Sequence, residues 1–233
     1  GHIGIFSPFS TRNAIDQIKQ FNPDVVHLHD MHGYFINYIE LATYLKLNKI
    51  PTVWSFHSEF MYTGKCAHSN DCSLWLSHCN NCPQLASYPK SWFFDRSFSM
   101  FDAKRKLFQN WDITLIIASE WLKQRCSESV ICGKTDSTCI ANPVSEVFFE
   151  SNANYQLPSK MEFSFSLLFS GSSLMSENKG GSYLKQLCLL HPDVLFVVAG
   201  DNNFPIISDN LINVGCISSR ETLASLYRVV DAT

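Results

Sequence analysis

The chain of 233 residues lacks most of the features by which a sequence announces a specialised class. It has no excess of positive charge: 18 Lys and Arg against 21 Asp and Glu leave a net charge of −3. Nothing there supplies the electrostatic footprint that nucleic-acid phosphates require, so nucleic acid is not an expected partner. Long apolar runs are missing too; the longest are strand-sized, such as LFVVA, well short of the ~18 residues of a membrane span. Repeats and low-complexity tracts are absent. So are an initiator Met and a signal peptide at the opening GHIGIFSPFS. The last residues, LYRVVDAT, stop where a new strand begins, and the expectation is an internal fragment whose missing targeting segment says nothing of the parent protein. Charged residues make up only 17% and hydrophobic ones 45%, which excludes disorder and leaves enough apolar surface for a sizeable core. The one compact basic cluster, Lys104-Arg105-Lys106, reads as the solvated face of a helix.

What is present is alternation. TRNAIDQIKQF spaces Ile15, Ile18 and Phe21 along one helical face, with Thr11 as its N-cap. Strand patterns follow at 24–29, 51–57 and 113–119, with a short one in STCIANP; helical patterns lie at 34–47, near 97–110 and from Glu120. Residues 142–163 interrupt the rhythm with prolines, asparagines and serines, which is linker chemistry. The pattern then restarts with strands at 165–171, 193–200 and 211–215, a helix at 180–190, and a last helix opened by Ser218 and Glu221 at capping-box spacing. Strands alternating with helices predict parallel sheets covered on both faces. The expected class is therefore α/β, with a Rossmann-like first domain over 1–145, a Cys-rich insertion at 58–96, a linker at 146–163 and a second Rossmann-like domain from 164 to 233. Ligands in such sheets bind beyond the carboxyl ends of the strands. That directs attention to His27, His29, Asp30 and His32, to His57–Glu59, to Ser170–Lys179, to Gly200-Asp201 and to Gly215–Ile217.

Four of the nine cysteines, Cys66, Cys72, Cys79 and Cys82, fall within seventeen residues. The final C-x2-C is a half-site for tetrahedral zinc, and two further thiols complete a closed set. The x5 and x6 spacings are not those of a standard finger, so disulfides and unlinked thiols stay open beside the metal. A long connection with little apolar periodicity needs a staple of some kind, and structural zinc is the expectation. His68 and His78 are reserve ligands; Cys126, Cys132, Cys139, Cys188 and Cys216 read as core thiols.

Several blocks carry a resemblance. PDVVHLHDMHGYFIN (23–37), PTVWSFHSEFMYTGKCA (51–67) and CNNCPQLASYPKS (79–91) resemble the family-4 glycosyltransferases of bacterial surface-polysaccharide synthesis, closest to the colanic-acid-type subgroup. IANPVSEVF (140–148) is similar to that family's hinge, SGSSLMSENKGG (170–181) to its donor loop, and LYRVVDA (226–232) to the approach to its catalytic strand. The resemblance implies a GT-B fold of two facing domains. It also implies retaining transfer of a hexose from a nucleotide-diphosphate sugar to a saccharide or lipid-linked saccharide acceptor, without a catalytic metal. A cytoplasmic setting follows from nucleotide-sugar use, with peripheral association at the inner face of the membrane, and a reducing cytosol argues against disulfides.

By the same resemblance His57 is the catalytic-side residue, placed to hydrogen-bond the transferred sugar as the leaving diphosphate departs. Gly171, Ser172, Ser173, Lys179, Gly180, Gly200, Gly215 and Ile217 would bind the donor, its phosphates meeting Lys179 and a helix N-terminus. His29, Asp30, His32 and Gly33 would face the acceptor; alternation along the strand puts His27 and His29 on one face. The chain departs from the subgroup at Ser58, where the pattern has Asp, at Lys65, where it has His, and at Ser172 and Ser173, where the wider family has Arg. The family's E-x7-E motif would lie past residue 233; the spacing match at Glu120 and Glu128 falls on a first-domain helix and is a coincidence. Two other readings stand beside sugar transfer: a nucleotide-sugar epimerase of GT-B type, and a non-catalytic relative kept as a zinc-stabilised interaction module.

Overall fold

A computed structural model describes residues 7–91, 94–150, 154–157, 163–176 and 179–233. Two compact units make up the chain, 1–142 and 143–233. Each is built on a parallel sheet whose strands follow one another in chain order.

In the first unit the order is β1-β2-β3-β4, comprising Val26–His29, Thr52–Phe56, Thr114–Ile117 and Ser137–Cys139. The helices are α1 (Pro8–Phe21), α2 (Tyr38–Leu47), α3 (Ser97–Phe108) and α4 (Glu120–Glu128). Register runs straight across the strands, so His29 stands beside Ser55 and Phe56 beside Ile117. Trp54, Phe56, Leu115 and Ile117 have no exposed surface. Trp54 stacks on Phe108 at 6.0 Å and meets Trp111 edge-on at 6.2 Å, and each such buried side chain contributes ~2–3 kcal/mol.

The second unit has β5 (Phe165–Ser170), β6 (Val194–Ala199) and β7 (Leu211–Gly215), with α5 (Val147–Glu150), α6 (Gly181–Leu190) and α7 (Arg220–Val229). Strand β6 is apolar throughout because both its faces are covered. Phe196 and Val198 pack with Leu184 and Phe204, while Leu195, Val197 and Ala199 pack with Leu226 and Val230. After α7 the chain reaches β5 from its other side. Leu167 bridges Ala232 in parallel, and the Asp231 carboxylate accepts from the Ser166 N–H at 2.8 Å and its hydroxyl at 2.6 Å.

The two parallel sheets and their helices are those the alternation implies, with five local corrections. Thr11 does not cap α1, because Pro8 starts the helix a turn earlier. Thr11 is buried instead; it donates to the Ser7 carbonyl at 2.6 Å and accepts the Asn37 N–H at 2.8 Å. The cap of α7 is Ser219, one residue past Ser218, with its hydroxyl accepting the Thr222 N–H at 3.1 Å. The stretch read as linker holds α5, whose Phe148 ring meets Tyr227 of α7 edge-on at 5.8 Å. Among the thiols read as core, Cys216 is exposed and Cys139 half-buried. The basic cluster, finally, divides between surface and core. Arg105 and Lys106 do lie on the solvated face and pair with Asp102, each at 2.7 Å. Lys104 has no exposed surface at all.

Between β2 and α3 the chain travels from 57 to 96. Among its described residues this connection forms two 3-10 turns, Glu59–Tyr62 and Leu74–Leu76, and neither strand nor α-helix. Glu59 anchors it. Its buried carboxylate pairs with the Arg125 Nε at 2.6 Å and accepts from the Ser69 hydroxyl at 3.0 Å. Trp75 and Trp121 lie against the Arg125 guanidinium at 4.6 and 5.1 Å. At the end of α4 the buried sulfurs of Cys126 and Cys132 are 2.9 Å apart.

Candidate functional site

At the carboxyl rim of the first sheet the period of two puts His27 and His29 on one face, their ring centroids 4.2 Å apart. Residue 57 follows β2 one step past the strand, and its ring stacks on His29 with centroids at 5.4 Å. His29 Nδ1 and His57 Nε2 are 3.1 Å apart and share one proton between them. His27 Nε2 meets the Ser55 hydroxyl at 2.8 Å. Burial holds the His29 pKa below its ordinary value, the neighbouring His27 and His57 add to this, and Asp30 opposes it.

Asp30 joins the two strand ends. It takes a positive φ of 42°, its N–H donates to the Ser55 carbonyl at 3.0 Å, and its carboxylate accepts the His57 N–H at 3.1 Å. The Trp54 indole N–H donates to the Asp30 carbonyl at 3.2 Å, fixing the turn to the core. His32 Nδ1 stands 3.5 Å from the Asp30 carboxylate without forming a hydrogen bond, and its ring meets Tyr88 edge-on at 5.7 Å. Gly33 is pressed by its own neighbour: a Cβ there would come within 2.6 Å of the Phe35 ring. The structure therefore brings His29, Asp30, His32 and His57 together and adds His27 to the row. Period-two spacing from His29 is the signal that finds it.

The rim of the second sheet is backbone. Gly171, Gly200 and Gly215 sit at the ends of three adjacent strands, with φ of 151°, 100° and 72°. A Cβ on Gly200 would lie 2.6 Å from the Gly171 carbonyl, and one on Gly215 would lie 2.7 Å from the Asn202 side chain. Ser172 and Ser173 are exposed, Ser173 with a positive φ of 54°. The Asp201 carboxylate accepts the Leu174 N–H at 3.1 Å and so pins the loop after β5 to the end of β6. Gly180 takes the N-cap position of α6 with φ 75° and no side-chain cap; Lys179 just before it is exposed, and its N–H donates to the Ser176 carbonyl at 2.9 Å. Residues 177 and 178 of the donor-loop stretch lie outside the described residues. Ile217 is half-buried and packs on the core side of the sheet with Leu226.

The four clustered cysteines line one cavity of about 10 Å³. Cys66 and Cys79 are buried, Cys72 and Cys82 half-buried, and His68 and His78 are exposed away from it. The thiols of Cys66 and Cys82 are neighbours that perturb one another. Among the described residues no group of three or more His, Cys, Asp or Glu side chains is arranged so as to hold a metal ion as it stands. Lys104 passes beneath this connection, its ammonium donating to the Thr63 carbonyl at 2.9 Å and to that of Phe60, whose ring it covers at 3.6 Å. Burial lowers its pKa to about 7, against the pull of the Cys79, Cys66 and Cys132 thiols.

Fold and rims together define a two-unit parallel α/β protein of the kind that places ligands beyond its strand ends. No family model matches the chain. Over 92 residues it is 32% identical to a protein of Escherichia coli (strain K12) provisionally assigned as the colanic acid biosynthesis glycosyl transferase WcaC. That stretch is 37% of this chain and 22% of the relative. Among solved structures, a provisionally assigned UDP-N-acetylglucosamine 2-epimerase from Listeria monocytogenes superposes with a TM-score of 0.46 at 9% identity, covering 95% of this chain and 54% of its own. The S. aureus MnaA–UDP complex gives 0.48 at 8% identity, covering 97% and 56%. The chain thus spans little more than half the length of these structures. No helix among the described residues is long and apolar enough to cross a membrane.

Proposed function

We propose that the chain is part of a glycosyltransferase that moves a hexose-type sugar from a nucleotide-diphosphate donor to a saccharide or lipid-linked acceptor in surface-polysaccharide synthesis. The observation that carries this reading is the 92-residue stretch of 32% identity to the WcaC glycosyl transferase. The geometry supports it. The histidine rim offers polar groups suited to sugar hydroxyls, and the glycine rim lets a nucleotide approach bare backbone. In this reading the second unit takes the donor, its diphosphate lying against the first turn of α6 with Lys179 as the cation.

His57 has a defined part. If its Nε2 accepts from His29, its proton is carried on Nδ1, where it can donate to a sugar hydroxyl. Asp30 fixes the backbone of His57, so the ring is aimed before ligand arrives. We place the reaction in the cytoplasm, with the acceptor reached at the membrane surface.

The test uses the full-length enzyme, a labelled sugar nucleotide and a lipid-linked saccharide acceptor. His57→Ala should lower turnover by about a hundredfold or more while donor affinity changes little. Label that stays on the nucleotide and changes only its configuration would replace this reading with an epimerase. Loss of donor affinity in step with turnover would remove His57 from the reacting centre.

A further inference from the structure

The cysteine cavity has neighbours that zinc spacing alone does not explain. Lys65 and Lys104 are each about 1% exposed or less, and neither forms an ion pair among the described residues. Their acceptors are all backbone carbonyls: Gln84 at 2.7 Å and Ser87 at 3.0 Å for Lys65, Phe60 and Thr63 for Lys104. A buried ammonium without a counter-charge is expensive, and two of them flank the same four thiols. Lys65 adjoins Cys66 in the chain and lines the cavity; Lys104 lies close enough to Cys66 and Cys79 to feel their charge. The thiols receive a backbone donor as well. The Gly64 N–H points at the Cys79 sulfur at 3.1 Å. Such a donor stabilises thiolate more than thiol.

We propose that Cys66, Cys72, Cys79 and Cys82 form a structural zinc site whose charge is balanced by the buried ammonium groups of Lys65 and Lys104. Four thiolates around a divalent ion make a dianion, and the two lysines supply the matching charge where water cannot. The fit is physical. The cavity of about 10 Å³ has room for one ion-sized sphere, and all four cysteines line it. The thiols have to turn about their Cα–Cβ bonds toward the cavity they already line, since they do not converge on one point as they stand. Asp95 feels the charge of Lys65, but it is exposed and screened by water. Its oxygens hold the Cys82 N–H at 2.7 Å and the Ser97 N–H at 2.8 Å, so it orients the loop. On binding, each thiol gives up its proton to solvent and no oxidation is involved.

The experiment is metal analysis of the full chain, purified with reductant and without chelator, and it does not depend on the sugar-transfer reading. About one zinc per chain is expected, and cobalt(II) in its place should show the visible bands of a tetrahedral thiolate site. Cys79→Ser should abolish both. Lys104→Met should weaken zinc retention against a competing chelator by about tenfold or more; Lys65→Met reads the same effect should the first variant not fold. Less than about a tenth of an equivalent of metal in the reduced wild type overturns the site. So does a disulfide mapped by peptide mass to two of Cys66, Cys72, Cys79 and Cys82. Zinc retention and content unchanged in Lys104→Met, with higher thermal stability, overturns the role of the lysines.

Discussion

Each of the two sheets is parallel with its strands in chain order, yet their carboxyl rims are built from opposite materials. The first is crowded with side chains: His27, His29, Asp30 and His57 touch one another, and a connection from 57 to 96 is pinned by buried charge at Glu59, Lys65 and Lys104. The second is stripped to Gly171, Gly200 and Gly215. The difference teaches that one topology places two chemistries. A rim of imidazoles can exchange protons and grade its charge with pH, whereas a rim of backbone can offer only fixed dipoles and closeness.

The contrast can be broken most forcefully at Glu59. Glu59→Ala leaves Arg125 without its partner between two tryptophans and should cost about 3 kcal/mol. All five tryptophans belong to the first unit, so a denaturant titration followed by their fluorescence reads that loss directly. An unchanged midpoint would make the pair ornamental.

Gly200→Ala attacks the other rim. Its Cβ would stand 2.6 Å from the Gly171 carbonyl at φ 100°, a strain of about 2 kcal/mol. Far-UV circular dichroism should record an earlier transition while tryptophan fluorescence keeps its midpoint. Equal shifts in both signals would mean that the units unfold as one.

A third effect is smaller still and bears on the proposed donor. In the full-length protein Lys179→Ala should weaken UDP or GDP about tenfold by calorimetry, a change of about 1.4 kcal/mol, and leave uridine and guanosine untouched. Parallel loss for nucleotide and nucleoside would point to a disturbed unit, and no loss would move the diphosphate elsewhere.

The finest test is the titration of His29. Its pKa is lowered, first by burial, so above the unfolded value of 6.5 it is neutral in both states and contributes nothing to pH dependence. As pH falls below 6.5 the unfolded chain takes up the proton first, and stability should decline until the folded value is passed. Imidazole NMR should show His29 titrating below 6.5; a midpoint at or above it would contradict the histidine row.

Local pattern made most of the fold legible. Continuous apolar runs such as VLFVVA mark strands covered on both faces, and the period of two correctly paired His27 with His29. The approach of His57 to His29 was not legible, because it depends on the register that sets His29 beside Ser55, a long-range fact. Glu59 with Arg125 was hidden for the same reason, 66 residues apart. Charge alone points Lys104 toward solvent, yet it is buried. Its spacing of four from both Met100 and Phe108, each buried on α3, carried the contrary signal. Thr11 is no cap because the helix already opens at Pro8, whose missing N–H suits the start of a helix better than its interior, with Ser7 before it as the N-cap residue.

The glycine rim also constrains what variation can achieve. At 171, 200 and 215 there is no side chain to exchange, and any that is introduced is strained by a positive φ before it can touch a ligand. Selection acting on this edge therefore meets a wall at three positions in a row. In the proposed reading, changes of donor preference have to enter through the exposed Ser172 and Met175 in the neighbouring loop. A saturation library across residues 171–176, 200 and 215 should thus separate into two populations: variants that vanish from the soluble fraction, and variants that survive with altered taste. The line between them should follow the glycines.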